Sequence, residues 1–341
     1  MNKKNPSIVL EDCKLSLNKL NNAKILVIGE TIIDQYVFCE GIGKSSKDPF
    51  IILKDLFSKK YLGGAAMVAK NLSNFGSKVT FLSALGDKYQ YRSFITNKLG
   101  KKIKSSFINK FNSPTIIKKR YIEDISKYKM LGIYSLNDEP LKGAQEKKFI
   151  NIIEKEISKN DIVIVCDYGH GLITDKIAEL IYSSDKFVAV NAQINANNIN
   201  NYNINKYKNL NCLVINETEV RNQSRDKFSK IEDVIYKISK QLNLKNCLVT
   251  MGKNGSIVYS KNNSKYYYSP AYATNVIDKV GAGDTLLAFF SSSLALKNNM
   301  NLSMFISSVA AGLSVENIAN SSPINLRSLI KKIKLILESS K

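Results

Sequence analysis

The chain has 341 residues, 44% of them hydrophobic, so it can bury a substantial core in one large domain or two smaller ones. No apolar stretch approaches the roughly 18 residues of a membrane-spanning helix, and the start carries no secretory signal pattern. The formal net charge is +21, but the lysines are spread along the whole chain without an aromatic-interleaved basic stripe. We therefore expect no membrane partner, no specific nucleic-acid partner, and a basic surface that attracts anionic substrates.

The five cysteines are scattered, odd in number, and form no C-x-x-C pair. This pattern is typical of reduced thiols rather than of a disulfide framework or a zinc site. We therefore expect a cytoplasmic protein.

The predicted elements follow a strand–helix rhythm after an N-terminal extension, residues 1–23, which we expect to be an appended helix or a loose arm. Strands are predicted at 24–29, 79–83, 115–122, 129–134, 161–166, 187–190, 212–215, 247–250 and within 256–268. Helices are predicted at 64–75, 90–99, 144–158, 174–183, 230–242, 285–296, 302–318 and 325–337. The alternation indicates one α/β domain, residues 24–341, with a mostly parallel sheet covered on both faces. Segments 36–62 and 115–134 lie outside the rhythm and predict a small β lid.

Ligands of an open parallel sheet bind beyond the carboxyl ends of its strands. The strongest candidate of this kind is DKVGAGDT at 278–285, directly before an apolar helix. Its glycines let a ligand approach the backbone, and the free N–H groups of a helix start favour an anion. A carboxylate at Asp284 beside bound phosphate indicates proton transfer or metal binding, whereas the alternative is an ordinary helix N-cap.

Two separated motifs resemble those of the ribokinase-like (pfkB) carbohydrate kinases. GGAA at 63–66, followed by VA at 68–69 and NL at 71–72, is similar to the glycine pair that packs against the sugar. The segment 278–285 is similar to the D-T-x-G-A-G-D signature. The resemblance covers about residues 24–320 and implies a ribokinase-like three-layer sandwich with a small β lid. It also implies ATP-dependent phosphorylation of a sugar hydroxyl.

The resemblance further implies roles for individual residues. Asp284 would be the general base for the acceptor hydroxyl, and the backbone N–H groups of Gly281, Ala282 and Gly283 would form an anion hole. The implied substrate-binding residues are Asp34, Gly63 and Gly64. The implied ATP-site residues are Asn216, Glu219, Thr250, Gly252 and Gly255. Asn216 and Glu219 would also organise Mg²⁺ through water, and Asp278 would contribute to a loop for a monovalent cation such as K⁺.

Finer matches resemble the heptose-phosphate kinase branch of this family. They are DYGHG at 167–171, with His170 in place of the branch's lysine, SKDP at 46–49, and PTIIK at 114–118. The implied reaction is phosphorylation at C1 of a sugar that already carries a distal phosphate, and Arg120 is the favoured phosphate ligand because its guanidinium binds in a bidentate manner. For Lys60 and Lys118 a solvated surface cation is the preferred interpretation, and His170 is either a turn residue or a ligand contact. No nucleotidyltransferase half follows in the sequence, so we expect at most the kinase step.

Several alternatives stay open at this point. Met67 stands where the family often has Asn, and Lys279 replaces the usual Thr, either contacting phosphate or pointing to solvent. A non-catalytic sugar-phosphate-binding protein, or a kinase of another sugar or nucleoside, is therefore an alternative, as is nucleic-acid association through the net charge. The polar run 191–195 either lines the site or is a loop, and GKS at 43–45 lacks the earlier glycine of a P-loop. Related kinases also suggest a homodimer formed through the lid.

Overall fold

The computed structural model describes residues 8–194, 203–319 and 321–339. The strands of its main sheet are β1 (Lys24–Gly29), β4 (Lys78–Leu85), β5 (Lys104–Asn109), β8 (Ile162–Asp167), β9 (Phe187–Ala192), β10 (Cys212–Asn216), β11 (Asn246–Thr250), β12 (Ser256–Ser260) and β13 (Lys265–Ser269). The lid strands are β2 (Thr31–Lys44), β3 (Ile51–Gly64), β6 (Ile116–Glu123) and β7 (Lys129–Ser135). The helices are α1 (Leu10–Asn18), α2 (Ala65–Asn74), α3 (Arg92–Leu99), α4 (Gly143–Ile157), α5 (Asp175–Tyr182), α6 (Glu217–Ser224), α7 (Ile231–Gln241), α8 (Ala282–Ala295), α9 (Met300–Ser314) and α10 (Leu326–Ser339).

The nine-stranded main sheet has the order β13-β12-β11-β10-β9-β8-β1-β4-β5. Strands from β11 to β5 run parallel to one another, whereas β12 and β13 extend the sheet in antiparallel fashion. The chain leaves β1 toward β4 and β5 and then returns to β8 on the other side of β1. This reversal opens a crevice at the carboxyl ends of β1 and β8, where open α/β sheets bind their ligands.

The core lies on both faces of the main sheet because successive side chains of a strand point in opposite directions. Ile25 and Val27 of β1 pack with α2, α8 and α9 on one face. Leu26 and Ile28 pack with α4, α5 and α7 on the other. The predicted three-layer α/β architecture with a mostly parallel sheet is therefore confirmed.

The lid is a separate four-stranded sheet of order β3-β2-β6-β7, with β2 and β6 parallel and the outer pairs antiparallel. Its strands lie where the sequence predicted a small β lid, although β2 begins at Thr31 and so reaches the end of β1. Tyr36 and Phe38 of β2 are buried together with Ile122 and Ala319. This contact joins the lid to the segment that follows α9.

The N-terminal helix α1 packs against α9 and α10, and its Cys13 and Leu17 belong to the main core. All five cysteines are buried and free. Burial raises the pKa of each of these thiols, to about 12 for Cys13 and Cys247. Among the described residues, no helix combines the length and the apolar content needed to cross a membrane.

Candidate active site

Two adjoining cavities lie at the carboxyl edge of the main sheet, and residues of the lid line one of them. The polar cavity, of about 370 Å³, is lined by Ile32, Asp34, Gly64, Lys118, Arg120, Tyr168, Asn191, Gln193, Ile194, Val214, Ile215, Asn216, Glu219, Thr250, Lys279, Val280, Gly281, Gly283 and Asp284. The apolar cavity, of about 330 Å³, has a lining that includes Gly252, Gly255, Pro270, Ala271, Tyr272, Ala282, Leu286, Ala311, Gly312 and Val315. Thr250, Lys279 and Gly283 line both, so the two cavities form one cleft that meets at the start of α8.

Asp284 lies in the first turn of α8, at the floor of the polar cavity. The N-cap of this helix is Gly281, with a φ of 87° that favours glycine, so the alternative interpretation of Asp284 as an N-cap is wrong. The carboxylate Oδ1 accepts a hydrogen bond from the Tyr168 hydroxyl at 2.6 Å and a longer one from Gln193 Nε2 at 3.5 Å. Both end on Oδ1, so, as far as the described residues go, Oδ2 is left to accept a proton from a bound molecule.

The environment of Asp284 disfavours its charge. Burial raises the pKa of Asp284 to about 6, against the opposing effects of the Tyr168 hydrogen bond and of Lys118, while Asp34 raises it further. A carboxylate with such a pKa is a better proton acceptor than a solvated aspartate and still ionised at neutral pH.

The predicted anion-hole segment opens α8. The first N–H groups of a helix have no acceptor within the helix, and the aligned peptide dipoles favour an anion beside them. Gly281 and Gly283 line the polar cavity, and a side chain at Gly283 would meet open space, so its backbone is accessible to a ligand. The N–H of Ala282 donates to Lys279 O at 3.4 Å, a long bond, and Ala282 faces the apolar cavity.

The lid supplies Asp34 and Arg120, which are joined by an ion pair of 2.5 Å between Oδ1 and Nη1. Both side chains are largely buried and line the polar cavity. A Cβ at Gly63 would lie 2.2 Å from Asp34 Oδ2, so this glycine makes room for the Asp34 carboxylate. Gly64 lines the cavity and opens α2 with a positive φ of 58°.

Lys118 also lies in the polar cavity, so its interpretation as a solvated surface cation is wrong. It pairs with Asp34 in the parallel register of β2 and β6, which places Lys118 and Arg120 on the same face of the lid. Burial lowers the pKa of Lys118, against the opposing effect of Asp34. Its ammonium lies 5.9 Å from the Tyr168 ring and 5.8 Å from the Tyr134 ring. The sequence held no signal for this burial, because it arises only when the lid covers the main sheet.

Asn216 and Glu219 form a capping box at the start of α6. Asn216 Oδ1 accepts the Glu219 N–H at 2.8 Å, and Glu219 Oε2 accepts the Asn216 N–H at 2.9 Å. Glu219 Oε1 accepts the N–H of Ile194 at 3.1 Å, and burial raises the pKa of Glu219 to about 7. The carboxylate retains lone pairs on the cavity side, which suits a Mg²⁺ ion held through water. Among the described residues, no cluster of three or more His, Cys, Asp or Glu forms a direct metal site.

The polar run 191–195, at the end of β9, lines the site at Asn191, Gln193 and Ile194, whereas Asn195 lies outside the described residues. Asn191 donates from Nδ2 to Val214 O at 2.8 Å, and its Oδ1 is buried without a partner among the described residues. A buried amide oxygen at a cavity wall is suited to accept a hydrogen bond from a ligand hydroxyl.

The predicted nucleotide-pocket residues lie along the apolar cavity. Gly252 and Gly255 bound it on one side, and Thr250 lies between it and the polar cavity. A Cβ at Gly255 would lie 2.0 Å from Ser269 O, so glycine is required there by close backbone approach. Lys279 is exposed at the junction of the two cavities.

His170 is buried, and its Nδ1 lies 2.6 Å from Asp138 Oδ1. The carboxylate of Glu30 accepts the N–H groups of Tyr168 and His170 at 3.0 and 3.2 Å. This holds the loop after β8 and therefore the Tyr168 hydroxyl that reaches Asp284. Lys60 lies on β3, 4.8 Å from the Tyr91 ring. Met67 is buried in α2.

A carboxylate in the first turn of a helix, where a polar and an apolar cavity meet, is an arrangement suited to transfer of a phosphoryl group to a hydroxyl. Residues 22–325 match the pfkB family of carbohydrate kinases, so the chain belongs to this family and is a carbohydrate kinase.

The chain is 29% identical over 303 residues to the bifunctional protein HldE of Aliarcobacter butzleri (strain RM4018), covering 85% of this chain and 60% of that protein. It therefore spans about three fifths of the length of this relative. The ribokinase of Arabidopsis thaliana complexed with ribose and ATP has the same fold, with a TM-score of 0.71 at 19% identity over 92% of this chain and 99% of that one. Phosphofructokinase-2 of Escherichia coli in complex with potassium aligns with a TM-score of 0.69 at 12% identity, covering 93% and 99%. The predicted ribokinase-like fold is thus confirmed.

Proposed function

We propose that the chain transfers the γ-phosphate of ATP to a hydroxyl of a phosphorylated sugar, with C1 of a heptose 7-phosphate-like substrate as the best candidate. The observation that carries this proposal is the polar cavity itself, which is lined by two partly buried cations, Lys118 and Arg120, together with the base Asp284. Both cations can form charge-assisted hydrogen bonds with a phosphate group, which are stronger than the hydrogen bonds that a neutral sugar offers. The resemblance of segments 46–49, 114–118 and 167–171 to the heptose-phosphate kinase branch supports the same substrate class.

In the proposed reaction the acceptor hydroxyl lies against Asp284 Oδ2 and loses its proton to this carboxylate as its oxygen bonds to the γ-phosphorus. The bond from the γ-phosphorus to the β,γ-bridging oxygen breaks, and ADP leaves. The backbone N–H groups at 281–283 face the charge on the transferred group, and Asp34 and Asn191 bind sugar hydroxyls. ATP would place its adenine in the apolar cavity, which Gly252 and Gly255 bound. Mg²⁺, held through water by Asn216 and Glu219, would neutralise phosphate charge.

The first test is ATP turnover with Mg²⁺ against free sugars, nucleosides, hexose phosphates and heptose 7-phosphate. We expect turnover on one phosphorylated sugar and, in Asp284→Asn, a loss of about 10³-fold or more in kcat with an unchanged fold. Unchanged activity in this variant would refute the assignment of the base. ATP binding without turnover on any acceptor would favour the non-catalytic alternative.

The phosphate ligand is tested with Lys118→Ala and Arg120→Ala. Each is expected to raise KM for the sugar phosphate by about 10-fold or more while KM for ATP changes little, because a charge-assisted hydrogen bond is lost. Lys119→Ala is the matched control, since successive residues of β6 point to opposite faces of the lid. Equal effects on free and phosphorylated sugars would contradict phosphate recognition by these two cations.

A further inference from the structure

The buried carboxylate of Asp278 lies where the lid meets the loop that leads into α8. Its Oδ1 accepts a hydrogen bond from the ammonium group of Lys129 on β7, at 2.5 Å, and another from the N–H of Val280, at 3.1 Å. Its Oδ2 accepts the hydroxyl of Tyr36 from β2 and the N–H of Ala319 at 2.9 Å. Asp278 is 4% exposed, so these protein donors replace water around the carboxylate.

These four donors use the full accepting capacity of the group, because an ionised carboxylate offers about four lone-pair sites. Burial alone would raise the pKa of Asp278, but the hydrogen bonds from Lys129, Tyr36, Ala319 and Val280 outweigh it and lower the pKa. The carboxylate is therefore ionised and satisfied by the protein itself.

The family resemblance implies that Asp278 contributes to a loop for a monovalent cation, and the described residues do not fit that role. A K⁺ ion needs oxygen ligands with free lone pairs, and both oxygens of Asp278 already accept two donors. The position beside the carboxylate is taken by an ammonium, which carries the same single positive charge as K⁺. Lys129 is further held over the ring of Tyr36, with Nζ 5.6 Å from the ring centroid.

We propose that the ammonium of Lys129 takes the place of a monovalent cation at Asp278, so that this kinase works without K⁺ and ties its anion-hole loop to its lid. Asp278 is close in sequence to the anion-hole segment. Its carboxylate accepts the N–H of Val280, and the next residue, Gly281, is the N-cap of α8. The backbone before it is fixed as well, since Ile277 and Asp278 both donate to Val315 O, at 2.8 and 3.1 Å. Lys129 is thus a positioning residue for 281–283, acting through Asp278.

This inference rests on the proposed kinase reaction for its activity readout, but its stability readout does not. The full chain, Lys129→Ala, Lys129→Gln and the control Lys127→Ala are compared in KCl and in tetramethylammonium chloride at equal ionic strength. Lys127 is a matched control because it lies on the lid two residues away and pairs with Asp124 instead. Thermal unfolding midpoints and ATP turnover are measured in both salts.

We expect the unchanged chain and Lys127→Ala to have the same midpoint and the same turnover in both salts. Lys129→Ala and Lys129→Gln should lose turnover by about 5-fold or more in tetramethylammonium chloride, with K⁺ restoring part of it and raising the midpoint selectively. K⁺-dependent turnover or K⁺-specific stabilisation of the unchanged chain would overturn the inference, as would the lack of any K⁺ response in both Lys129 variants. If no acceptor sugar is found, the proposed function fails but the midpoints still decide this inference.

Discussion

At the scale of single residues, the raised pKa of Asp284 affects both its proposed role as a base and the stability of the folded protein. Its folded pKa of about 6 lies above the value of about 3.9 expected for an unfolded chain. The folded state therefore binds the proton more tightly, so stability falls as pH rises from about 4 to about 6, by up to about 3 kcal/mol. Above that window the penalty is constant, and Asp284→Asn, which carries no charge, should fold at least as stably as the unchanged chain.

The same pKa predicts how kcat/KM decreases on the acidic side of the pH profile. Because Asp284 must be ionised to accept the hydroxyl proton, kcat/KM should fall about tenfold per pH unit below about pH 6. Tyr168→Phe removes the hydrogen bond that lowers this pKa, so its decrease should move to higher pH, and its turnover should fall by about 10-fold. The measurement is kcat/KM as a function of pH for the unchanged chain and for Tyr168→Phe.

Comparing the pH profiles of the unchanged chain and Tyr168→Phe also distinguishes titration of the enzyme from titration of its substrates. Phosphate groups of ATP and of a sugar phosphate titrate near pH 6 as well, but they do so identically for both proteins. Identical decreases in the two proteins would mean that Asp284 does not set the profile.

At the scale of elements, the short helix α6 shows how a structural motif and a functional one share the same atoms. Its capping box fixes the Glu219 carboxylate by backbone N–H groups, and this leaves the carboxylate facing the polar cavity. A Mg²⁺ ion that keeps several of its waters can be bound by such a fixed carboxylate through those waters.

Glu219→Gln is therefore expected to raise the Mg²⁺ concentration needed for half-maximal turnover by about 10- to 100-fold, since the charge is lost but the shape is kept. The control is Glu217→Gln in the same turn, where the carboxylate instead pairs with Arg221 at 2.9 Å. Mg²⁺ titrations of ATP turnover measure both variants. An unaltered Mg²⁺ requirement in Glu219→Gln would remove this residue from the metal site.

The elements also show what sequence patterns can predict. β1 was predicted with the bounds that the structure has, because an apolar run ending in Gly is a strong signal. β5, with the sequence KSSFIN, was missed since an edge strand in a polar stretch lacks that signal. α6 was not predicted as a helix either, although its N-x-x-E start is a capping-box pattern.

The candidate site also has a part that the sequence predicts and a part that it does not. Asp34 and Asn216 follow predicted strands and Asp284 lies at the glycine-rich start of α8, so local patterns predicted that these three lie near one another, whereas Thr250 was predicted there from the family resemblance. The contacts of Tyr168 with Asp284, of Arg120 with Asp34, and of Lys129 with Asp278 join segments 86 to 149 residues apart. Such pairs depend on how the lid and the main sheet meet, which periodicity does not encode.

At the scale of the whole molecule, the lid presents an exposed apolar surface that predicts self-association. β3 is an edge strand of the lid sheet and carries exposed Phe57, Leu56, Ile52 and Ile51. Long edge strands with apolar side chains tend to pair with another chain. We expect a homodimer in which two lids meet.

Light scattering after size-exclusion chromatography should give the mass of a dimer, and Phe57→Lys should shift it to that of a monomer. Phe228→Lys is the control, because Phe228 is 97% exposed but lies far from the lid in sequence, beside α7. A monomer in the unchanged chain, or a dimer that persists in Phe57→Lys and dissociates in Phe228→Lys, would contradict an interface at β3.

The buried cysteines make the protein a convenient carrier for a spectroscopic label. Because all five thiols are buried and their pKa values are raised, they are protonated at neutral pH and screened from alkylating reagents. A single cysteine introduced at Ile125, which is 90% exposed at the turn between β6 and β7, would be the reactive thiol under native conditions. A fluorophore attached there would report on the surroundings of this lid turn, for example when substrate is added, without first removing the native cysteines.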